Sequence, residues 1–230
     1  IEILRLKGQK LSLKRADRDA KEGVVLAMVS PDSKKGIVIR MSSETDFVSK
    51  NENFVNLAKE FAQIALDTFP ADLETLLKQP YQNITIGEKV SEQVGVIGEK
   101  IELADYQHIE APQVVSYIHM GNKAGVILGL NNADAKFRDA GRDVAMQVAA
   151  MKPVALDKDG VDASIIEKEI EIGKELARQE GKPEDMLEKI ALGKLNRFFK
   201  DNTLLAQAFV KDNSLSVEAY LKSMDKDLTV

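Results

Sequence analysis

The sequence predicts an α+β fold: two related subdomains, each a small antiparallel sheet backed by helices, with an antiparallel helical hairpin arm in the second. Two observations carry that prediction. The pattern of "VVLAMVSPDSKKGIVIRM…FVNLAKEFAQIAL" returns as "VVSYIHMGNKAGVILGL…DVAMQVAAMKPVAL" at residues 114–156, and after Pro153 the apolar spacing becomes helical throughout. Each copy reads as an apolar strand, a loop ending in glycine (Gly36, Gly125), a second apolar strand, a polar connection and an Ala-rich amphipathic helix. A hairpin backed by one helix cannot hide both faces of its sheet, so two copies predict paired subdomains. The expected division is a basic helical linker at 1–22, a first subdomain at 23–109 and a second at 110–230 that includes the hairpin at 163–200.

In chain order, residues 1–22 read as a helix carrying Lys7, Lys10, Lys14, Arg15, Arg18 and Lys21, with Gly23 as its stop. "VVLAMV" (24–29) and "IVIRM" (37–41), split by the turn-rich "SPDSKKG", predict a β-hairpin. Ser49-x-x-Glu52 matches a capping box ahead of a helix with Phe54, Leu57, Ala58, Phe61 and Ala65 on one face. Pro70 and Pro80 bracket a short helical piece, and Thr85-x-x-Glu88 caps a helix bearing Ile86, Val90, Val94 and Ile97 up to Gly98. "KIELADYQHIEA" and "QVVSYIH" follow as strands. Further on, Ser164-x-x-Glu167 caps a run with Ile166, Ile170, Gly173 and Ala177, "EGKPED" breaks it, and Leu187, Ile190, Ala191, Leu195 and Phe198 line the next helix. So short a turn makes these two helices antiparallel. The tail "SLSVEAYLKSMDKDLTV" offers one more short helix.

Composition narrows the function classes. The 230 residues are 44% hydrophobic and 30% charged, as in globular proteins with a real core, and the net charge of −5 disfavours nucleic acid and anionic membranes as partners. The absence of cysteine excludes disulfides, thiolate zinc sites and a cysteine nucleophile, and it fits a reducing, cytoplasmic setting. The longest apolar runs fall short of the roughly 20 residues that cross a bilayer, and the charged opening "IEILRLKGQK" is unlike a signal peptide. Catalysis is hard to build. His108 and His119 lack companions at metal spacing, no nucleotide-binding glycine loop occurs, and the carboxylates of "IIEKEIEIGKEL" sit beside lysines as on a solvated helix face. No enzyme, cofactor or metal is therefore expected; a hydrolase with unrecognised carboxylates would need a substrate that nothing here nominates.

The segment "SSETDFVSKNENF" (42–54) places Phe47, flanked by Asp46 and Val48, among polar residues. From pattern alone Phe47 reads first as a staple packed inward against the following helix, and second as an anchor for another molecule. The segment and the helix after it resemble the TDFV signature of the bacterial-type elongation factor Ts family. "LKGQKLSLKRADRDAKEG" looks like that family's linker. "VGVIGEKIEL", "SYIHMGNKAGVIL" and "VAMQVAAMKPVAL" follow in the family's order, and "IEKEIEIGKELARQEGKPEDMLEKIALGKLNRFF" is similar to its helical hairpin. The likeness covers nearly the whole chain, with most of the family's small N-terminal helical domain and its closing strand and final helix expected to lie outside it.

The resemblance implies guanine-nucleotide exchange on elongation factor Tu, in which the Asp–Phe of the signature enters the partner's G domain near its magnesium and phosphates. By match these are Asp46 and Phe47, with Thr45 and Val48 completing the signature. The Ile of the family's "IGE" segment maps to Ile97. The His and Gly of its "SY-x-H-G" turn map to His119 and Gly121, here separated by Met120. The first subdomain is expected to face the G domain and the second the partner's third domain. Ile97 also reads as a core residue on the stripe with Val90 and Val94, His119 as a hydrogen-bonded structural residue, and the hairpin as either self-packed structure or an arm for partners or self-association. The competing function, from another class, is RNA binding through the basic segment 7–21.

Overall fold

The computed structural model describes residues 2–230. Contacts group the residues up to Met146, with Val230, in one unit and residues 147–229 in a second. The boundary expected between 109 and 110 falls inside the first unit.

Helix α1 (Glu2–Lys14) opens the first unit. It is shorter than the predicted 1–22, of which Ile1 lies outside the described residues. Past Lys14 the chain turns because Lys100 Nζ donates to the carbonyls of Ala16 (2.9 Å) and Arg18 (3.1 Å), groups that a continuing helix would use itself. Gly23, expected as the stop, instead lies within strand β1 (Glu22–Val29), paired opposite Ser42 with φ of 153°. A Cβ there would sit 2.3 Å from the Met41 carbonyl oxygen, so only glycine allows this approach.

Strand β1 pairs antiparallel with β2 (Lys35–Ser43), and β2 pairs antiparallel with β5 (Glu102–Glu110), which puts β2 in the centre of a three-stranded sheet. Ile37, Ile39 and Met41 alternate along β2 and are at most 1% exposed, as the period-2 pattern requires. They meet the buried face of α3 (Glu52–Thr68), made by Phe54, Leu57, Ala58, Phe61, Ala62, Ala65 and Leu66. Between β2 and α3 lies one turn of helix, α2 (Asp46–Ser49). The predicted cap at Ser49 is not used. Asn51 caps α3 instead, its side chain accepting from the N–H groups of Asn53 and Phe54, while Ser49 donates to the Asp46 carbonyl.

Helix α4 (Leu73–Leu77) and a two-residue ribbon of β3 (Pro80–Tyr81) with β4 (Ile84–Thr85) lead into α5 (Ile86–Ile97). Here the predicted Thr85–Glu88 capping box forms in both directions, and Gly98 ends the helix in the left-handed region at φ 81°. Helix α5 packs on α1 through glycines. A Cβ on Gly8 would lie 1.8 Å from the Ser91 carbonyl oxygen, and one on Gly95 would lie 2.3 Å from that of Leu4.

The second hairpin, β6 (Gln113–His119) with β7 (Ala124–Leu130), covers the other face of the first sheet. The two repeat glycines make this reciprocal. A Cβ on Gly36 would meet Val114 Cγ1 at 2.6 Å, and one on Gly125 would meet Val25 Cγ1 at 2.8 Å. The repeat therefore closes on itself sheet to sheet, and helix α6 (Arg138–Met151) follows. That is why a boundary drawn between the copies cuts through one unit.

The second unit holds the predicted antiparallel helical hairpin, α7 (Ala163–Gln179) and α8 (Glu184–Asn202). Its seam is small: Gly173 lies against Ala191, flanked by the buried Ala177, Leu187 and Leu195. Asp162, not Ser164, caps α7, accepting from the Ser164 N–H. At the other end Gly181 (φ 72°) allows Lys182 N–H to bond the Ala177 carbonyl and Gly181 N–H that of Arg178, a Schellman motif. Strands β8 (Ala208–Phe209) and β9 (Asp212–Ser216) form a small ribbon, and α9 (Val217–Met224) stacks Tyr220 on Phe209 at 4.1 Å. Gln147, fully buried, joins Gln207, the Ala208 carbonyl and the Val210 N–H.

Candidate partner-binding site

Residues 43–50 turn one aromatic ring outward by burying its neighbours. Ser43 is fully buried and Ser49 nearly so, while Val48 packs on the core of the first unit. Phe47, on the opposite side of the single turn of α2, is 85% exposed. Of the two readings open from the pattern, the inward staple is not what the chain adopts: Val48 turns inward and Phe47 outward.

Asp46 is half-buried and pairs with Lys50 at 2.7 Å, one helical turn on. The hydrogen bond from Lys50, followed by the attraction of its charge, holds the Asp46 carboxyl below the usual carboxylate range. Thr45 occupies the N-cap position of α2 but makes no side-chain cap bond. Its hydroxyl donates to Glu99 Oε1 at 2.7 Å, and its N–H to Glu99 Oε2 at 3.1 Å.

Glu44, just before, accepts from the Lys100 N–H (2.6 Å), Arg15 (2.6 Å) and Arg18 (3.0 Å). Burial pushes its carboxyl up, but these three donors outweigh that and bring it down to about 2. Sequence reasoning missed Glu44 and Glu99. Glu44 bonds Lys100 across 56 residues and Glu99 bonds Thr45 across 54, and no local pattern marks such pairs.

Ile97, the last residue of α5, is half-buried and packed against the core, and it also lines a groove beside Phe47. This groove, about 410 Å³, runs between Phe47, Val48 and Phe54 on one side and Val96 and Ile97 on the other. Val96, 56% exposed, is a further apolar side chain on this groove that the helical stripe did not reveal, because it points away from the core.

His119 ends β6, half-buried, with its Nδ1 3.1 Å from the Tyr117 hydroxyl. The turn after it runs through three left-handed residues, Met120 (φ 43°), Gly121 (φ 60°) and Asn122 (φ 66°). Met120 projects from its tip at 76% exposure. The turn is tied down by Val25 N–H to the Asn122 carbonyl (2.8 Å) and by Lys123 to Glu22 (2.5 Å). A depression of about 220 Å³ is shared by Ser49 and Lys50 from the signature and by Gly121, Asn122 and Lys123 from this turn. Thr45, Asp46, Phe47, Val48, Ile97, His119 and Gly121 thus all belong to the first unit.

Among the described residues, no group of three or more His, Asp or Glu side chains could hold a metal ion. Several carboxylates of the hairpin form ion pairs on its surface, such as Glu188 with Lys174 (2.7 Å) and Glu184 with Arg178 (3.1 Å). No helix among the described residues is long and apolar enough to cross a membrane.

The family model described as "Elongation factor TS" matches residues 44–230. The chain is 53% identical over 230 residues to elongation factor Ts of Christiangramia forsetii, across 100% of this chain and 83% of that protein. It is 50% identical to elongation factor Ts of Flavobacterium psychrophilum with the same coverage, and 43% identical over 233 residues to that of Porphyromonas gingivalis, again across 100% and 83%.

Proposed function

The chain belongs to the elongation factor Ts family, whose members are nucleotide-exchange factors for elongation factor Tu in translation, and we propose that its exchange activity runs through Asp46 and Phe47. The single observation that carries this reading is the ring of Phe47, 85% exposed on a turn whose flanking residues are buried or bonded. A large apolar group in that setting gains little from its own fold and much from another's. Insertion of one Phe side chain into a pocket stabilises a complex by about 1.5–3 kcal/mol, or one to two decades of affinity. The exposed Val96 and Met120, with Ile97, His119 and Gly121, extend the contact around it.

An exchange factor makes and breaks no covalent bond. It works by binding the nucleotide-free or distorted GTPase better than the nucleotide-bound one. The Phe47 wedge shifts the partner's elements around the phosphates, and the Asp46 carboxylate disturbs the ligands of the magnesium ion. A nucleotide whose magnesium is loosened has poorly neutralised phosphates and leaves faster. Coupling is reciprocal: the chain weakens GDP by the same ratio by which GDP weakens the chain. Titration of the chain against nucleotide-free and GDP-loaded elongation factor Tu tests this directly. The two dissociation constants are expected to differ by the factor by which the chain raises the GDP dissociation constant; equal affinities for both forms rule out exchange by this route. A cytoplasmic location follows from the same reading.

The RNA-binding alternative is weakened by how the basic segment is used. Arg15 and Arg18 are both engaged by Glu44, and Lys21 by Asp19.

A further inference from the structure

We infer that Glu99 is a positioning residue for exchange: it holds Thr45, and through Thr45 it aims the single helical turn that presents Phe47. The inference rests on the wedge reading above. A helix of one turn is not stable by itself, since nucleation fixes several residues for one hydrogen bond. The placement of α2 must therefore come from tethers at its ends. Thr45 would by residue type cap this helix with its hydroxyl. It does not; the hydroxyl goes to Glu99 Oε1 and the N–H to Glu99 Oε2. One carboxylate thereby fixes both the peptide plane and the side-chain rotamer of the residue two before Phe47, with charge-assisted bonds.

The next pair repeats the arrangement in reverse, for Glu44 accepts from the Lys100 N–H. Residues 44–45 and 99–100 are thus cross-linked in both directions, the carboxylate of each segment on the backbone of the other. Ser43 adds a third tether by donating to the Thr45 carbonyl at 2.9 Å. Glu99 in turn is aimed by Gly98, whose left-handed conformation ends α5 and turns the chain back toward Thr45. This arrangement matters because the exposed ring of Phe47 has little packing of its own to orient it. A binding group works only when its supports hold it within about 0.5 Å of the productive position, so the tethers on α2 set whether the ring can insert.

The test is a double-mutant cycle read by release of fluorescent GDP from elongation factor Tu, with melting temperature followed in parallel. Glu99→Gln leaves one acceptor for two donors. It is expected to slow the maximal release rate about tenfold in the otherwise native chain, and less than about twofold further in a Phe47→Ala background. Thr45→Val should match Glu99→Gln, whereas Thr45→Ser, which keeps the hydroxyl, should retain the rate. Equal losses from Glu99→Gln in both backgrounds overturn the positioning role, because a merely structural effect multiplies with any other. So does an unimpaired Glu99→Gln chain alongside an impaired Phe47→Ala chain, a result that leaves the wedge standing. An unimpaired Phe47→Ala chain removes the wedge itself. Should Glu99→Gln melt below the assay temperature, the Thr45→Val and Thr45→Ser pair carries the same cycle.

Discussion

Phe47 and Glu44 are three residues apart and have opposite duties, one facing solvent and one anchoring the fold. Phe47→Ala removes a ring that is 85% exposed, so it should change unfolding free energy by no more than about 0.5 kcal/mol. Urea denaturation checks this, and a large loss would show that the ring serves its own core. Glu44 is the converse. Its donors bring the folded carboxyl down to about 2 from the ordinary 4.5, so the stability that it contributes is complete above about pH 4.5 and is lost as pH falls toward 2. Glu44→Gln should therefore be less stable than the native chain at neutral pH, by about 1.5–3 kcal/mol for charged hydrogen bonds. The gap should close between pH 4.5 and 2, as measured by denaturation at a series of pH values; a gap independent of pH would mean that the charge is not what Arg15, Arg18 and Lys100 hold.

Helices α1 and α5 connect these residues to the rest of the first unit, and glycine sets how closely they cross. In an exposed helix, Gly→Ala gains about 1 kcal/mol from propensity. At Gly8 the added carbon would stand 1.8 Å from a backbone oxygen, so overpacking of roughly 1–3 kcal/mol or more outweighs that gain. Gly8→Ala and Gly95→Ala should each lower stability in thermal melts, and a stabilised variant would contradict the crossing.

Most elements were legible from periodicity, because the alternation in β2 and the stripes of α3, α5 and α8 are buried as their spacing requires. Caps were less so. Three Ser/Thr-x-x-Glu patterns occur, but only Thr85 forms its box; at the other two the helix is capped by Asn51, which accepts from the N–H groups of Asn53 and Phe54, and by Asp162, which accepts from that of Ser164. The signature around Phe47 was visible through family resemblance, whereas Glu99 and Val96 were not. Their roles arise only when α5 is folded against the signature.

Taken with its net charge of −5, the chain offers no reason to expect a strongly salt-dependent interaction. Binding of RNA through the six cations of residues 7–21 would fall by about a thousandfold between roughly 50 and 200 mM salt. An interface anchored on Phe47, Val96 and Met120 should lose less than about tenfold over the same range, read from the half-saturating concentration in exchange assays. The most direct test compares the native chain with Phe47→Ala in stopped-flow release of labelled GDP from elongation factor Tu, at matched folded concentration. A fall in release rate of about one to two decades with unchanged melting temperature is the expected result. Release at the native rate by a folded Phe47→Ala chain would contradict the wedge.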